Sequence, residues 1–248
     1  MITKKELAEY AQLRGLKNLG HAEKDYLQNI LLFIIYHRFG REIVFKGGTA
    51  LYKCFGLNRF SEDLDFNAQQ DVDSTFIGEG LKRFKIEYEK KESSFKRSKS
   101  IALRIKGPLY NGERNSFCKV VLEFSLREEA QETPIIKTIG RFMEEIPSFD
   151  VFVMAEKEIL SEKVRAIMTR NKARDVYDLW FLLKENVEFD EKMINQKMKY
   201  YKKEFDGAEF LGAIMEKESI WHSELSGFIQ NIPEFKKVIS EIKASLKK

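Results

Sequence analysis

The chain is short of several things, and each shortage excludes something. Two cysteines, Cys54 and Cys118, among 248 residues are too few for a disulfide framework, and their spacing is not that of a metal site. The expected compartment is therefore the cytoplasm, with reduced thiols. Four prolines and 14 glycines exclude a collagen-like or linker-dominated chain. The longest apolar run, Ile30 to Tyr36, falls far short of the ~20 residues that cross a bilayer. Met1-Ile2-Thr3-Lys4-Lys5-Glu6 lacks the apolar segment of a secretory signal, so no membrane partner is expected. His21, His37 and His222 have no mutual spacing suited to a metal or a triad, and no Walker A loop or GxGxxG occurs. Charge of one sign barely prevails: 43 basic residues against 39 acidic ones leave +4.

What is present is the composition of a highly charged globular protein, 43% hydrophobic and 33% charged, long enough to bury a real core. The positive charge is uneven. Segments 82–106 and 192–203 are lysine-rich, and the chain ends Leu246-Lys247-Lys248. Such runs are ordinary solvated faces or a landing surface for a polyanion such as RNA.

Periodicity predicts helices over 4–18 and 22–38, the second with Tyr26, Ile30, Leu31, Ile34 and Ile35 on one apolar face. Residues 43–66 read as strand, glycine turn, helix, strand. A helix is predicted near 75–84 and strands over 85–89, 100–106 and 117–126, the last two paired as a hairpin across Pro108 to Gly112. Pro134 and Pro147 bracket a stretch with no clear pattern. From Lys157 onward the chain reads as helices, broken near Asn171, 186–190 and Gly207. This is an α+β chain: a helical lead-in, a small mixed sheet and a helical C-terminal third, divided as 1–150 and 151–248.

Two elements carry chemistry. Gly47-Gly48, after a buried strand and before a helix, lets backbone N–H groups approach an anion without Cβ interference, and Thr49 can add a hydroxyl donor. A tight strand-to-helix turn would need the same glycines. Asp63 and Asp65 stand two apart on a predicted strand, so both carboxylates face one side. That proximity is costly unless a cation lies between them, and hard oxygen ligands suit Mg²⁺ or Mn²⁺. A phosphate cradle beside a divalent-metal site is the equipment of nucleotidyl transfer. Glu123, on a strand with Val121 and Ser125, is the candidate third metal ligand; an exposed strand glutamate would look the same. Lys46, Arg59 and Ser61 flank the phosphate site.

Lys46-Gly47-Gly48-Thr49-Ala50-Leu51 followed by Arg59-Phe60-Ser61-Glu62-Asp63-Leu64-Asp65-Phe66 closely resembles the AbiEii/AbiGii toxin family of nucleotidyltransferases from abortive-infection and toxin–antitoxin systems. The resemblance extends to Glu158 to Ala166 and to Arg174-Asp175-Val176-Tyr177-Asp178-Leu179-Trp180. It implies a DNA-polymerase-β-like nucleotidyltransferase core with an attached helical region. It also implies that Lys163 contacts the nucleoside triphosphate and that Asp175 belongs to the active site. The family's wider relatives carry Gly-Ser at the turn, where this chain has Gly-Gly-Thr. From the residues alone, Lys163 and Arg170 flank an apolar stripe of Leu160, Val164, Ile167 and Met168. Asp175 and Asp178 share a helix face, and Arg174 either pairs with one of them or faces the triphosphate.

The expected activity is metal-dependent transfer of a nucleotide from an NTP to an acceptor hydroxyl, with RNA, specifically tRNA, as the acceptor. The expected biological role is the toxin of a toxin–antitoxin pair with a cognate antitoxin. The rivals are transfer to a protein hydroxyl and a catalytically silent module that holds RNA or a partner.

Overall fold

A computed structural model describes residues 1–127, 129–140 and 145–246. The chain divides into two compact units. The first comprises Met1–Phe55, Ser61–Ala130 and Pro134–Val153; the second comprises Gly56–Phe60, Gln131–Thr133 and Met154–Lys248. The second unit takes up the chain from Met154 onward, together with two short earlier segments that no composition shift betrays.

The first unit begins with α1 (Lys4–Leu13) and α2 (Leu19–Phe39). Thr3 and Glu6 form a reciprocal capping box on α1, and Asn18 caps α2 through the amides of Gly20 and His21. α2 is buried along most of its length and stops at Gly40, whose φ is +50°. Then come β1 (Ile43–Lys46), α3 (Gly47–Cys54), β2 (Leu64–Ala68) and α4 (Thr75–Arg83). The expected strand, glycine turn, helix and strand are all present.

β3 (Tyr88–Phe95), β4 (Ser98–Ile105), β5 (Cys118–Ser125), β6 (Ile135–Ile139) and β7 (Phe149–Val153) complete a seven-stranded mixed sheet. Its order is β3-β4-β5-β2-β1-β7-β6. β2 runs parallel to β5 and β1 parallel to β7; the other neighbours are antiparallel. The expected hairpin is β4–β5, with Ile105 opposite Cys118. The strand expected at 85–89 instead starts at Tyr88 and continues to Phe95. As an exposed edge strand of Lys, Glu and Ser, it shows no apolar alternation that would mark its end.

Alternation gives the sheet two faces. Phe45, Phe66 and Phe124 stand in register on β1, β2 and β5 and stack on the core side, with ring centroids 5.4 and 5.1 Å apart. Ile101, Leu103, Val120 and Leu122 extend that side. The opposite face carries Lys46, Asp65, Glu123 and Ser100 in one register row across β1, β2, β5 and β4.

The second unit is helical: α5 (Glu156–Thr169), α6 (Ala173–Lys184), α7 (Glu191–Lys199), α8 (Gly207–Met215), α9 (Trp221–Leu225) and α10 (Phe235–Ser245). Asp190 and Asp206 cap α7 and α8 by accepting from Met193 and Glu209 amides. Leu160, Val164 and Ile167 of α5 are buried, as the apolar stripe predicted, with Met168 half-buried at its edge. Among the described residues, no helix is long and apolar enough to cross a membrane.

Candidate active site

Gly47 sits at φ +76°, a conformation that L side chains avoid. A Cβ there would lie 2.6 Å from Asp65 Oδ2. The glycine turn therefore makes room for the Asp65 carboxylate at the first turn of α3. Lys46, half-buried, is both the residue before the helix and the register partner of Asp65. Asp63, just outside β2, is exposed, while Asp65 is half-buried.

Thr49 is fully buried, and its hydroxyl donates to the main-chain carbonyl of Asp63. In this arrangement the hydroxyl holds the backbone of an acidic residue. Ser61 is likewise buried, and its carbonyl accepts from Gln28 Nε2 at 3.0 Å. Glu123 stands directly across from Asp65 on β5, where Ser100 Oγ donates to its Oε1 at 2.7 Å.

The donor chemistry suits a hard divalent cation. Asp63 and Asp65 offer only carboxylate oxygens, and the space beside Asp65 exists because residue 47 has no Cβ. Among the described residues, no three His, Cys, Asp or Glu side chains converge tightly enough to hold one ion. Glu123 is thus adjacent to the aspartate pair in register without closing a three-acid cage in this geometry.

Lys163, Asp175 and Arg59 occur together in the second unit. Lys163 Nζ lies 3.0 Å from Asp175 Oδ1 and 2.7 Å from Asp178 Oδ2. Arg59 grips Asp178 through both Nε and Nη2 at 2.6 Å. Arg170 meets Asp175 at 2.7 and 2.9 Å. Burial alone would raise both carboxyls, but the surrounding cations outweigh it and hold both well below the usual carboxylate range. Burial opposes the charge on Lys163 as well, and Asp178 and Asp175 raise it above its ordinary value. Among the described residues, Lys163, Arg59 and Arg170 surround these two carboxylates.

Arg59 was expected beside a phosphate; its guanidinium is buried and bound to Asp178. Arg174, expected to pair with an aspartate of its own helix or with the triphosphate, lies over the Phe228 ring at 4.9 Å. Arg170, at the C-terminal end of α5 and across the break at Asn171, takes Asp175 instead. Sequence reasoning missed Gln28 and Ser100, which hold site backbone and site carboxylate. Gln28 was findable as a polar residue inside a helix that is otherwise apolar.

The model of the AbiEii family of nucleotidyltransferase toxins, from type IV toxin–antitoxin systems, matches residues 30–241. The chain belongs to this family. No curated protein matches the chain. Two solved structures show the same fold. The nucleotidyltransferase toxin MenT4 from Mycobacterium tuberculosis superposes with a TM-score of 0.68 at 19% identity, covering 99% of this chain and 88% of that one. JHP933 from Helicobacter pylori gives 0.59 at 21% identity, covering 92% and 90%. The α+β reading with a nucleotidyltransferase fold and C-terminal helices therefore stands. As an AbiEii protein the chain is a nucleotidyltransferase toxin, and the glycine turn and aspartate pair lie within the matched region.

Proposed function

We propose that this AbiEii protein transfers a nucleotide from an NTP to an RNA hydroxyl, with Asp63 and Asp65 holding Mg²⁺ or Mn²⁺. The observation that carries the proposal is the Asp65 carboxylate seated against Gly47, where a Cβ would lie 2.6 Å from Asp65 Oδ2. A divalent cation bound there neutralises phosphate charge and polarises the transferring phosphoryl group. The amides of Gly47 and Gly48 at the start of α3 orient the phosphates. The acceptor hydroxyl oxygen bonds to the α-phosphorus as the bond to the β-phosphate oxygen breaks; the hydroxyl proton passes to solvent and pyrophosphate leaves. Glu123, across from Asp65 on β5, is proposed as the third acidic group of the site. Lys46 lies beside it at the phosphate end. Lys163 and Asp175 are proposed to serve the same reaction, Lys163 as the cation toward the triphosphate and Asp175 as the carboxylate that orients it. Arg59 acts there through Asp178.

RNA is favoured as acceptor by charge. Residues 82–106 hold ten basic and three acidic side chains. Glu92, one of the three, is already paired with Lys90 and Lys99. Lys91, Arg104 and Lys119 alternate onto the sheet face that bears Asp65 and Glu123. A polyanion laid across β3, β4 and β5 would approach the acidic cluster along this face. tRNA is the proposed RNA, the cytoplasm the proposed compartment, and a cognate antitoxin the proposed partner.

The test is where label goes. The protein is incubated with each α-³²P-labelled NTP, Mg²⁺ and total cellular tRNA, and the products are separated into RNA and protein. Label on RNA is expected; label confined to protein would replace RNA with a protein hydroxyl as acceptor.

A further inference from the structure

α2 buries an unusual set of polar residues for a helix so apolar: Glu23, Asp25, Gln28 and Asn29 are each at most 5% exposed. Each reaches an element that carries a site residue. Glu23 Oε1 accepts from the Leu109 amide in the β4–β5 connection, at 2.7 Å. Asp25 and Asn29 hold Lys53 of α3 at 2.6 and 2.7 Å, and Asp25 is itself gripped by Arg14 and the Tyr10 hydroxyl of the α1 region. Lys53 is buried, so α3 is pinned at the end opposite its glycine turn.

Gln28 acts on the approach to the aspartates. Its Nε2 donates to the carbonyls of Ser61, at 3.0 Å, and Glu62, at 2.8 Å. Thr49 takes the next carbonyl, that of Asp63. Three consecutive carbonyls leading into β2 are thus held by two side chains, the first two by Gln28 of α2 and the third by Thr49 of α3. Lys24 adds a bond to the Glu62 carboxylate at 2.5 Å. The Gln28 side chain is committed to this segment: its Nε2 makes both bonds, while its buried Oε1 has no hydrogen-bond partner among the described residues.

We propose that Gln28 and Thr49 are positioning residues that fix the 61–63 backbone so that Asp63 and Asp65 present their carboxylates to one divalent ion. This rests on the metal-binding reading of the aspartate pair. Neither side chain touches substrate; each acts through the backbone of the chelating segment.

The experiment is a Mn²⁺ titration of the full-length protein, reading free Mn²⁺ by electron paramagnetic resonance. It compares wild type with Gln28→Met, Thr49→Val and Asp65→Ala, and a urea midpoint is recorded for each. Asp65→Ala is expected to abolish binding. Gln28→Met and Thr49→Val are expected to weaken it about tenfold or more, as loss of a group that orients a metal ligand does. The weakening should appear in protein that unfolds cooperatively. A merely structural role would shift the urea midpoint and leave Mn²⁺ affinity alone, and that result overturns the proposal. If one variant fails to fold, the other decides by the same criterion. No Mn²⁺ binding by the wild type would remove the metal reading and this inference with it; binding equal in wild type and folded variants would remove only the inference.

Discussion

A methyl group at residue 47 would stand 2.6 Å from Asp65 Oδ2, on a backbone already at φ +76°. Gly47→Ala is therefore expected to cost on the order of 1–3 kcal/mol in stability. It should also displace the Asp65 carboxylate, so nucleotide transfer should fall by more than stability explains. Urea unfolding beside a transfer assay checks both; unchanged transfer in Gly47→Ala would mean that Asp65 need not lie against the turn. Burial pushes the thiols of Cys54 and Cys118 up to about 12. Both should react with Ellman's reagent far more slowly in native protein than in urea. The turn at Gly47 and the strand that carries Asp65 were legible because local signals mark them: glycines after an apolar strand, and an alternating acidic pair. Thr49 was read as a donor at the glycine turn, and nothing in the sequence says that its hydroxyl meets a carbonyl 14 residues away.

Elements followed the same rule. β1, α3 and β2 could be read because each combines periodicity with a turn signal. β6 and β7 could not: Ile135 and Ile136 lie on an exposed edge strand, and the chain between β6 and β7 has no pattern that requires a strand. The Arg59–Asp178 pair, 119 residues apart, has no local signature at all. Its removal carries a clear expectation. Arg59→Met leaves Asp178 fully buried with Lys163 as its remaining cation, and breaking a buried pair from one side costs about 3–5 kcal/mol. On the sheet, Phe66→Ala breaks the Phe45–Phe66–Phe124 stack and should cost about 3–5 kcal/mol. Chemical denaturation of each variant measures these losses; a loss below 1 kcal/mol for Arg59→Met, well under the roughly 3 kcal/mol floor, would show that Asp178 is satisfied without it.

At the scale of the molecule, the second unit ties its stability to pH through one network. Asp175 and Asp178 have carboxyls depressed below 3.8 in the fold, so their contribution is complete above that value and is lost as pH falls through the folded ones. Lys163 is raised above 10.5, so its contribution is complete below 10.5 and is lost as pH rises beyond. Stability should be level between about pH 5 and 9 and fall on either side. Trp180 and Trp221, the chain's two tryptophans, both lie in this unit, so their fluorescence follows its unfolding. A midpoint that drifts steadily between pH 5 and 9 would point to other titrating groups.

Metal-dependent nucleotide transfer is proposed to rest on the aspartate pair beside the glycine turn. The most direct measurement is transfer of label from α-³²P-NTP in three samples: wild type with Mg²⁺ or Mn²⁺, wild type after chelation, and Asp65→Ala with metal. Label is expected only in the first sample. Label that persists after chelation, or in folded Asp65→Ala, would contradict the claim.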